Sequence, residues 1–302
     1  MLETGRGVCN TWECDENGHM NVRHYVARAV DGLSSIGIAV GLGPERLRDQ
    51  NALLSAVEHH VRFHAEVHPG APLHMLGGVL DADERGLDIY QELRDAGGGL
   101  SATITSRVAL CGLESRAVRD LPPSAIQAAQ EHGMQLPKQG MPRGVQLDAP
   151  RNPPRMQEAD ELGLIPIYRG RVRPEDCDRH GFMFTESFMG RISDGVAHFF
   201  RELGLLRRDE DPNVGGAALE YRLVYRHTPR EGDVLVIRSG LKAQQGKATH
   251  FCHWIFNAET GRCVATSEAV AVQLDLRTRR SVAPSEEDLA RLQSRAIAAL
   301  GV

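Results

Sequence analysis

The sequence has little of several features that mark whole classes of protein. No apolar run approaches the roughly 18–20 residues that a membrane-spanning helix needs, and MLETGRGVCN at the start lacks the apolar core of a secretion signal. The formal net charge of -5 supplies no basic field of the kind that nucleic-acid binders usually carry. We therefore expect a globular protein with no membrane span and no nucleic-acid partner.

Cysteine is present but is not spaced for metal or redox chemistry. None of the six cysteines forms a zinc-ligand pair or a CxxC site. We interpret them as reduced thiols and expect a cytoplasmic protein. Three histidines, His60, His64 and His68, share one face of a predicted strand. Metal ligands usually converge from several elements, so we interpret this face as polar surface and expect no metal site.

The chain contains an internal repeat. The stretch WECDENGHMNVRHY at 12–25 aligns with EDCDRHGFMFTESF at 175–188 at an offset of 163, and the two share cysteine, aspartate, glycine and methionine positions. Farther on, EHHVRF at 58–63 resembles EYRLVY at 220–225 at an offset of 162. Several matches in the same order predict a duplicated domain.

Each half predicts the same order of elements. Apolar residues recur at helical spacing over 22–40 and over 188–203. A short strand precedes each helix, and four strands in hairpin succession follow it. Short connections make these strands antiparallel, and the long helix can cover one face of their sheet. The strands are predicted near 6–13, 54–68, 72–81, 87–94 and 100–112, and near 166–173, 216–228, 233–243, 247–257 and 263–275.

The region between the halves differs in composition. Residues 113–164 are rich in proline and predict a linker with one short helix, PPSAIQAAQEHG, which has proline at its start and glycine at its end. A last apolar pattern predicts a closing helix near 285–299. We therefore expect a first domain at 1–112, this linker, and a second domain at 165–302.

One helix wrapped by a five-stranded antiparallel sheet is the hotdog architecture, and the motifs resemble a hotdog family. WECDENGHMNVRHYV resembles the signature of the 4-hydroxybenzoyl-CoA thioesterase family, roughly D-x-x-G-H-x-N followed by an aromatic residue. RFHAEVHPGAPL and FNAETGRCVATSEAVAVQLDLRTRR resemble its second strand and last hairpin. The resemblance implies an α+β fold of two tandem hotdog domains, a form that also resembles the acyl-carrier-protein thioesterases. It implies hydrolysis of thioesters of coenzyme A or acyl carrier protein without metal or organic cofactor.

Three polar residues ahead of the first long helix fit that chemistry. Thioester hydrolysis needs a base that deprotonates water or a carboxylate that attacks the carbonyl, and Asp15 is the candidate for either role. By resemblance, this aspartate carries the catalytic carboxylate. His19 either orients Asp15 or binds the thioester oxygen, and Asn21 either caps the helix or holds the water or the carbonyl. On its own, DENG also fits a type I turn.

The start of the helix supplies candidates for stabilising the oxyanion. Free N–H groups at a helix N-terminus point outward and carry partial positive charge. Val22 and Arg23 fall in the first turn, so we expect their backbone amides to serve this purpose. Tyr25, one turn into the helix, is expected to line the acyl pocket or the interface between domains.

The second copy of the loop departs from this pattern. It keeps Asp178, but Phe182 and Phe184 replace the histidine and the asparagine. Apolar side chains cannot hold a water or an oxyanion, so we interpret Asp178 as a turn residue. Phe182 and Phe184 are expected to build an acyl pocket, with packing at the domain interface as the alternative.

Three arginines share the polar face of the matched strands. We interpret Arg62, Arg222 and Arg226 as solvated, with contact to coenzyme A phosphates as the alternative.

The sequence thus predicts an acyl thioester hydrolase. A hotdog hydratase or dehydratase, and an acyl-thioester binder without catalysis, are the alternatives. The expected partners are a small-molecule acyl thioester, an acyl carrier protein as a further carrier, and a second copy of the chain in a homodimer.

Overall fold

The chain divides into two compact units. The computed structural model describes residues 1–205 and 213–302. The units comprise Met1–Met141 and Pro142–Val302, so the predicted linker is shared between them. In the part of the chain that is described, no helix has both the length and the apolar character needed to cross a membrane.

The first unit is built on a five-stranded antiparallel sheet. Its strands are β1 (Leu2–Val8), β2 (Ala52–Phe63), β3 (Pro72–Asp83), β4 (Gly86–Asp95), β5 (Leu100–Gly112) and β6 (Val118–Arg119). The first five pair in the order β1-β3-β4-β5-β2, and the two-residue β6 pairs with the end of β5. The turn between β4 and β5 is closed by Asp95, whose Oδ1 accepts the amides of Gly97 and Gly99, each at 2.8 Å.

One long helix covers this sheet. Helix α1 (Val22–Ala39) packs against β1 and β3 and buries Val26, Ala29, Leu33 and Ile36, which is the apolar stripe expected from the sequence. It is followed by a short helix, α2 (Pro44–Asp49).

Glycine sets the distance between each long helix and its sheet. A methyl group at Gly32 on α1 would collide with Nε2 of Gln91 and crowd the side chain of Thr4, so glycine leaves room for these side chains. At the matching place in the second unit, a methyl group at Gly195 would lie 2.9 Å from the carbonyl oxygen of Ile167. The glycine of the repeated Asp-Gly pair therefore faces the sheet at close range in both units.

The second unit repeats the first. Its elements are β7 (Ile165–Arg171), α5 (Glu186–Glu202), β8 (Val214–Tyr225), β9 (Val234–Gln245), β10 (Ala248–Asn257), β11 (Cys263–Asp275), β12 (Arg280–Val282) and a closing helix, α6 (Glu286–Ser294). The strands pair in the order β7-β9-β10-β11-β8, all antiparallel, and β12 pairs with the end of β11. Helix α5 buries Phe188, Met189, Ile192 and Phe199. Each unit is thus a hotdog domain, and the predicted duplication is confirmed.

Several boundaries differ from the sequence-based expectation. Strand β1 ends at Val8, because residues 11–13 form a 3-10 helix instead of extending the strand. The closing helix ends at Ser294, because the chain then turns so that the amide of Ile297 donates to the carbonyl of Leu241. The linker contains two helices, α3 (Pro123–Glu131) as expected and α4 (Met156–Glu161), which was not predicted.

The interpretation of Arg62, Arg222 and Arg226 as solvated side chains is wrong, because each donates hydrogen bonds to backbone carbonyls. The guanidinium of Arg62 donates to the carbonyls of Gln139 and Met141 at 2.8 and 2.6 Å, within the first unit. In the second unit, Arg222 is buried and donates to the carbonyls of Gln146 and Asp148.

Arg226 has a similar role, since it donates to the carbonyl of Arg151 at 2.8 Å. Glu220 completes the arrangement, because its carboxylate accepts the backbone amides of Arg143, Gly144 and Val145. These charged side chains therefore hold the linker segments to the strands through hydrogen bonds with the linker backbone.

Candidate active site

The loop ahead of α1 is a tight turn held by its own backbone. The amide of Gly18 donates to the carbonyl of Asp15 at 3.0 Å, and the amide of Asp15 donates to the carbonyl of His19 at 2.9 Å. Gly18 has a φ of 77°, in the left-handed region that favours glycine. The turn therefore brings the side chains of residues 15 and 19 onto the same side.

Asp15 and His19 form a pair in this turn. Nδ1 of His19 lies 3.3 Å from Oδ2 of Asp15, and both side chains are about five-sixths buried, at 17% and 16% exposure. Oδ1 of Asp15 accepts the amide of Asn17 at 2.9 Å. Each carboxylate oxygen thus has a polar neighbour, and the geometry supports one of the two roles expected for His19, which is to orient Asp15.

The pair shifts both ionisation equilibria towards the charged forms. Burial raises the pKa of Asp15, but the hydrogen bond and charge of His19, with the amide of Asn17, outweigh it and hold that pKa below its ordinary value. The hydrogen bond to Asp15 raises the pKa of His19 above its ordinary value, against the opposing effect of burial. Asp15 is therefore a carboxylate at neutral pH.

Glu66 is a site residue that the sequence analysis missed. Its Oε1 lies 3.7 Å from Nε2 of His19, on the far side of the ring from Asp15, and its charge also raises the pKa of His19. Its Oε2 lies 3.7 Å from Nε2 of His68, and Nδ1 of His68 lies 3.1 Å from the carbonyl oxygen of Gly18.

Glu66 was not predicted as a site residue because the alternating pattern placed it within the second strand. Strand β2 carries a bulge between Ala56 and Glu58 and ends at Phe63, whereas the prediction extended the strand to residue 68. The amides of His64 and Ala65 both donate to the carbonyl of Ser101, so the ladder stops there.

The chain then turns towards the loop, where the amide of Met20 donates to the carbonyl of Val67 at 2.7 Å. The Pro69-Gly70 pair, which is typical of a turn, was the sequence signal that the strand ends earlier than predicted. His60, His64 and His68 therefore do not form one strand face. In residues 1–205 and 213–302, no three His, Cys, Asp or Glu side chains are grouped to hold a metal ion.

Asn21 acts as the N-cap of α1. Its Oδ1 accepts the amide of Arg23 at 3.0 Å, which is the usual bond between an asparagine cap and the first helical turn. Of the two amides expected to stabilise the oxyanion, that of Arg23 is thus engaged in the cap. For the amide of Val22, no bond is found among the described residues.

Tyr25 lies on the buried face of α1. Its ring meets that of Phe63 edge to face, with the centroids 5.0 Å apart. Burial raises the pKa of the Tyr25 phenol well above its ordinary value. The expectation that Tyr25 lines an acyl pocket or an interface stays a prediction.

The matching loop of the second unit has the same backbone but different side-chain bonds. The amide of Gly181 donates to the carbonyl of Asp178, as in the first loop. Oδ1 of Asp178, however, accepts two backbone amides, those of His180 at 2.8 Å and Phe182 at 3.1 Å. Asp178 therefore stabilises its own turn, in line with the sequence-based interpretation.

The two phenylalanines of this loop lie in different environments. Phe182 is buried, and the guanidinium of Arg230 lies 4.2 Å from its ring centroid. Phe184 is 39% exposed. Their expected part in an acyl pocket stays a prediction.

Comparison with protein families agrees with the duplicated loop. The sequence profile described as Thioesterase-like superfamily matches residues 9–130 and 172–292, once in each half. The chain belongs to this superfamily. Each matched range contains the turn in which glycine follows aspartate by three residues, at 15–18 and at 178–181. No curated protein sequence matches the chain.

Solved structures extend the likeness across both halves. An oleoyl thioesterase (putative) from Lactobacillus plantarum superposes with a TM-score of 0.68 at 14% identity, covering 90% of this chain and 95% of that one. An acyl-ACP thioesterase from Bacteroides thetaiotaomicron gives 0.66 at 13%, covering 88% and 96%. A 12:0-ACP thioesterase from Umbellularia californica gives 0.65 at 12%, covering 89% and 93%. These likenesses confirm the predicted α+β fold of two tandem hotdog domains.

Proposed function

We propose that this protein hydrolyses acyl thioesters and that the loop of the first unit is its active site. The observation that supports the proposal most strongly is the largely buried pair of Asp15 and His19 in the loop ahead of α1. A carboxylate that stays ionised in a partly buried site suits attack on a carbonyl or on a water. In the second loop, the position that matches His19 is Phe182.

Two routes use the Asp15 carboxylate. As a base, Asp15 takes a proton from water while the oxygen of that water attacks the thioester carbonyl. As a nucleophile, Asp15 attacks the carbonyl itself, the thiolate leaves, and water then hydrolyses the mixed anhydride. A single turnover in isotopically labelled water identifies the nucleophile route when water attacks the Asp15 carbonyl of the anhydride, because the label then enters Asp15. The base route places the label in the acid alone.

The neighbours of Asp15 have distinct proposed roles. His19 orients the carboxylate through Nδ1, and Glu66 faces the other ring nitrogen and favours the protonated imidazole. We propose the amide of Val22 as the donor to the developing oxyanion, because the amide of Arg23 is held by Asn21. This carboxylate and this donor suffice for hydrolysis, so the proposed reaction needs no metal or organic cofactor.

The proposed substrate class is an acyl group joined by a thioester to coenzyme A or to an acyl carrier protein. Family membership supports the thioester. The similar structures carry the names of oleoyl and acyl-ACP thioesterases, which supports testing fatty acyl chains of several lengths on both carriers.

A panel of acyl thioesters tests the proposal. The purified protein is incubated with short, medium and long acyl groups on coenzyme A and on acyl carrier protein, and free thiol is followed with a thiol reagent. We expect release of thiol with at least one acyl group, and no loss of this activity on treatment with a chelator. Absorbance of a new or lost enoyl group without thiol release would identify a hydratase or dehydratase. Binding without turnover would identify an acyl-thioester binder.

Two expectations from the sequence accompany this proposal. We propose that the protein works in the cytoplasm, which its six free cysteines support. We also propose that two chains associate, as hotdog units often do. Light scattering tests the association, and the mass of a single chain would contradict it.

A further inference from the structure

Two cysteines meet beside the candidate active site. Sγ of Cys9 and Sγ of Cys14 lie 3.7 Å apart, on either side of the 3-10 helix Thr11–Glu13. Cys14 directly precedes Asp15. The remaining cysteines of the chain include Cys177, which matches Cys14 in the repeat, but the position that matches Cys9 is Val172. The pair of thiols is therefore specific to the loop that carries the Asp15–His19 pair.

We propose that Cys9 and Cys14 are a reversible oxidation site, whose disulfide lowers the thioesterase activity of the loop. The oxidant is a hydroperoxide such as hydrogen peroxide. The effect on activity rests on the proposed function, whereas the formation of the disulfide does not.

The two thiols differ in a way that suits two successive steps. Cys14 is partly exposed and Cys9 is fully buried. Burial, with the neighbouring Cys14 and Glu13, raises the pKa of Cys9 to about 12, so Cys9 stays protonated at neutral pH. The thiol that meets the oxidant is therefore Cys14, and Cys9 reacts second.

The chemistry balances without a further reactant. The sulfur of Cys14 attacks one oxygen of hydrogen peroxide, the O–O bond breaks, and a sulfenic acid and water result. The sulfur of Cys9 then attacks the sulfur of that sulfenic acid, the S–O bond breaks, and the hydroxyl leaves as water with the proton of Cys9. Two thiols and one peroxide thus yield one disulfide and two waters, and a thiol reductant reverses the change.

Formation of the disulfide moves atoms of a residue that adjoins the proposed catalytic carboxylate. The sulfurs have to close from 3.7 Å to about 2.05 Å, and the next residue after Cys14 is the proposed catalytic carboxylate. A displacement of about 1 Å at a reacting group can cost roughly 100-fold in rate. We expect oxidation to lower kcat/KM at least about 10-fold, which is a smaller loss than this roughly 100-fold figure.

Peptide mapping tests the site without any activity. The protein is treated with hydrogen peroxide, its remaining thiols are alkylated, and it is digested with trypsin. Cys9 and Cys14 fall in one tryptic peptide, residues 7–23. We expect this peptide to be lighter by two hydrogen atoms and unalkylated, and to take two alkyl groups after reduction. The peptide that carries Cys177 is the matched control and should form no disulfide within the chain.

Activity is then measured on the same samples through the loss of thioester absorbance, because a thiol reagent would also read the reductant. We expect the lost rate to return on reduction, and Cys14→Ser to show no reversible loss. Sulfoxide at Met20 in the same peptide adds an oxygen and is not reversed by the thiol reductant, so it is distinguished. A peptide 7–23 that keeps both thiols while peroxide is consumed would overturn the proposal, as would a complete disulfide that leaves the rate unchanged. A mapped disulfide in a protein with no activity on any thioester would overturn the proposed function instead.

Discussion

Each unit contains a fully buried histidine whose burial should make the fold less stable in acid. His59 in the first unit and His253 in the second are fully buried, and Nδ1 of each lies beside a serine hydroxyl, Ser106 at 2.8 Å and Ser239 at 2.6 Å. Burial lowers the pKa of His59 to about 4 and that of His253 to about 3. Both are therefore neutral in the folded protein.

The direction of the effect follows from these depressed pKa values. A histidine in the unfolded chain has a pKa of about 6.5, so the unfolded state binds more protons below that value. The contribution to stability is complete above about pH 6.5 and is lost as the pH falls towards about 4 for His59. Acidification from about pH 7.5 to about pH 5 should lower the unfolding free energy by about 2 kcal/mol for each of the two histidines, since one pKa unit corresponds to about 1.36 kcal/mol.

Urea unfolding of matched variants isolates this contribution. His59→Gln keeps a polar side chain but does not titrate in this range, so its loss of stability on acidification should be smaller than that of the wild type by about 2 kcal/mol. His253→Gln should behave in the same way. His198→Gln, at an exposed position on α5, is the control and should lose as much stability on acidification as the wild type. If wild type and His59→Gln lose equal stability, the account of a buried neutral histidine is wrong.

Two further predictions concern the neighbours of Asp15. Glu66→Gln removes the charge 3.7 Å from Nε2 of His19 and should lower kcat/KM roughly 10-fold, or about 1.4 kcal/mol. The control is Glu16→Gln, which changes an exposed carboxylate in the same loop as Asp15. Equal effects of the two substitutions would show that Glu66 does not belong to the site. His19→Gln takes away the main influence that lowers the pKa of Asp15 against burial, so the acidic limb of the kcat/KM profile should move to higher pH. An unshifted limb in a folded His19→Gln variant would mean that this limb does not report Asp15.

The repeat and the periodic elements were predictable because their signals are local. Helix α1 begins one residue after Asn21, whose side chain caps it, and strands β5 and β11 have the predicted bounds, Leu100–Gly112 and Cys263–Asp275. Alternation, helical spacing and caps all act within a few residues of the chain. The turn that brings Asp15 to His19 is local as well, which is why the sequence placed both in one site.

The features that could not be predicted from the sequence depend on contacts between distant segments of the chain. Glu66 reaches His19 only because the ladder of β2 stops at Ser101 and the chain crosses to the loop. The arginines of the strands bind carbonyls of the linker about 75 residues away, as Arg222 does at Asp148. Strand periodicity records which residues share a face, but it does not record which loop covers that face.

If only the first of the two repeated loops carries the chemistry, the same substitution at the two matched aspartates should have unequal effects. Asp15→Asn keeps the size of the side chain but removes the charge, and Asp178→Asn makes the same change in the second unit. The amide oxygen of asparagine can still accept the two backbone bonds that Asp178 accepts. We predict that kcat/KM, measured on the same active thioester with circular dichroism to confirm folding, falls at least roughly 100-fold in Asp15→Asn and less than about 10-fold in Asp178→Asn. Equal losses in the two variants, or an unchanged rate in Asp15→Asn, would contradict the account.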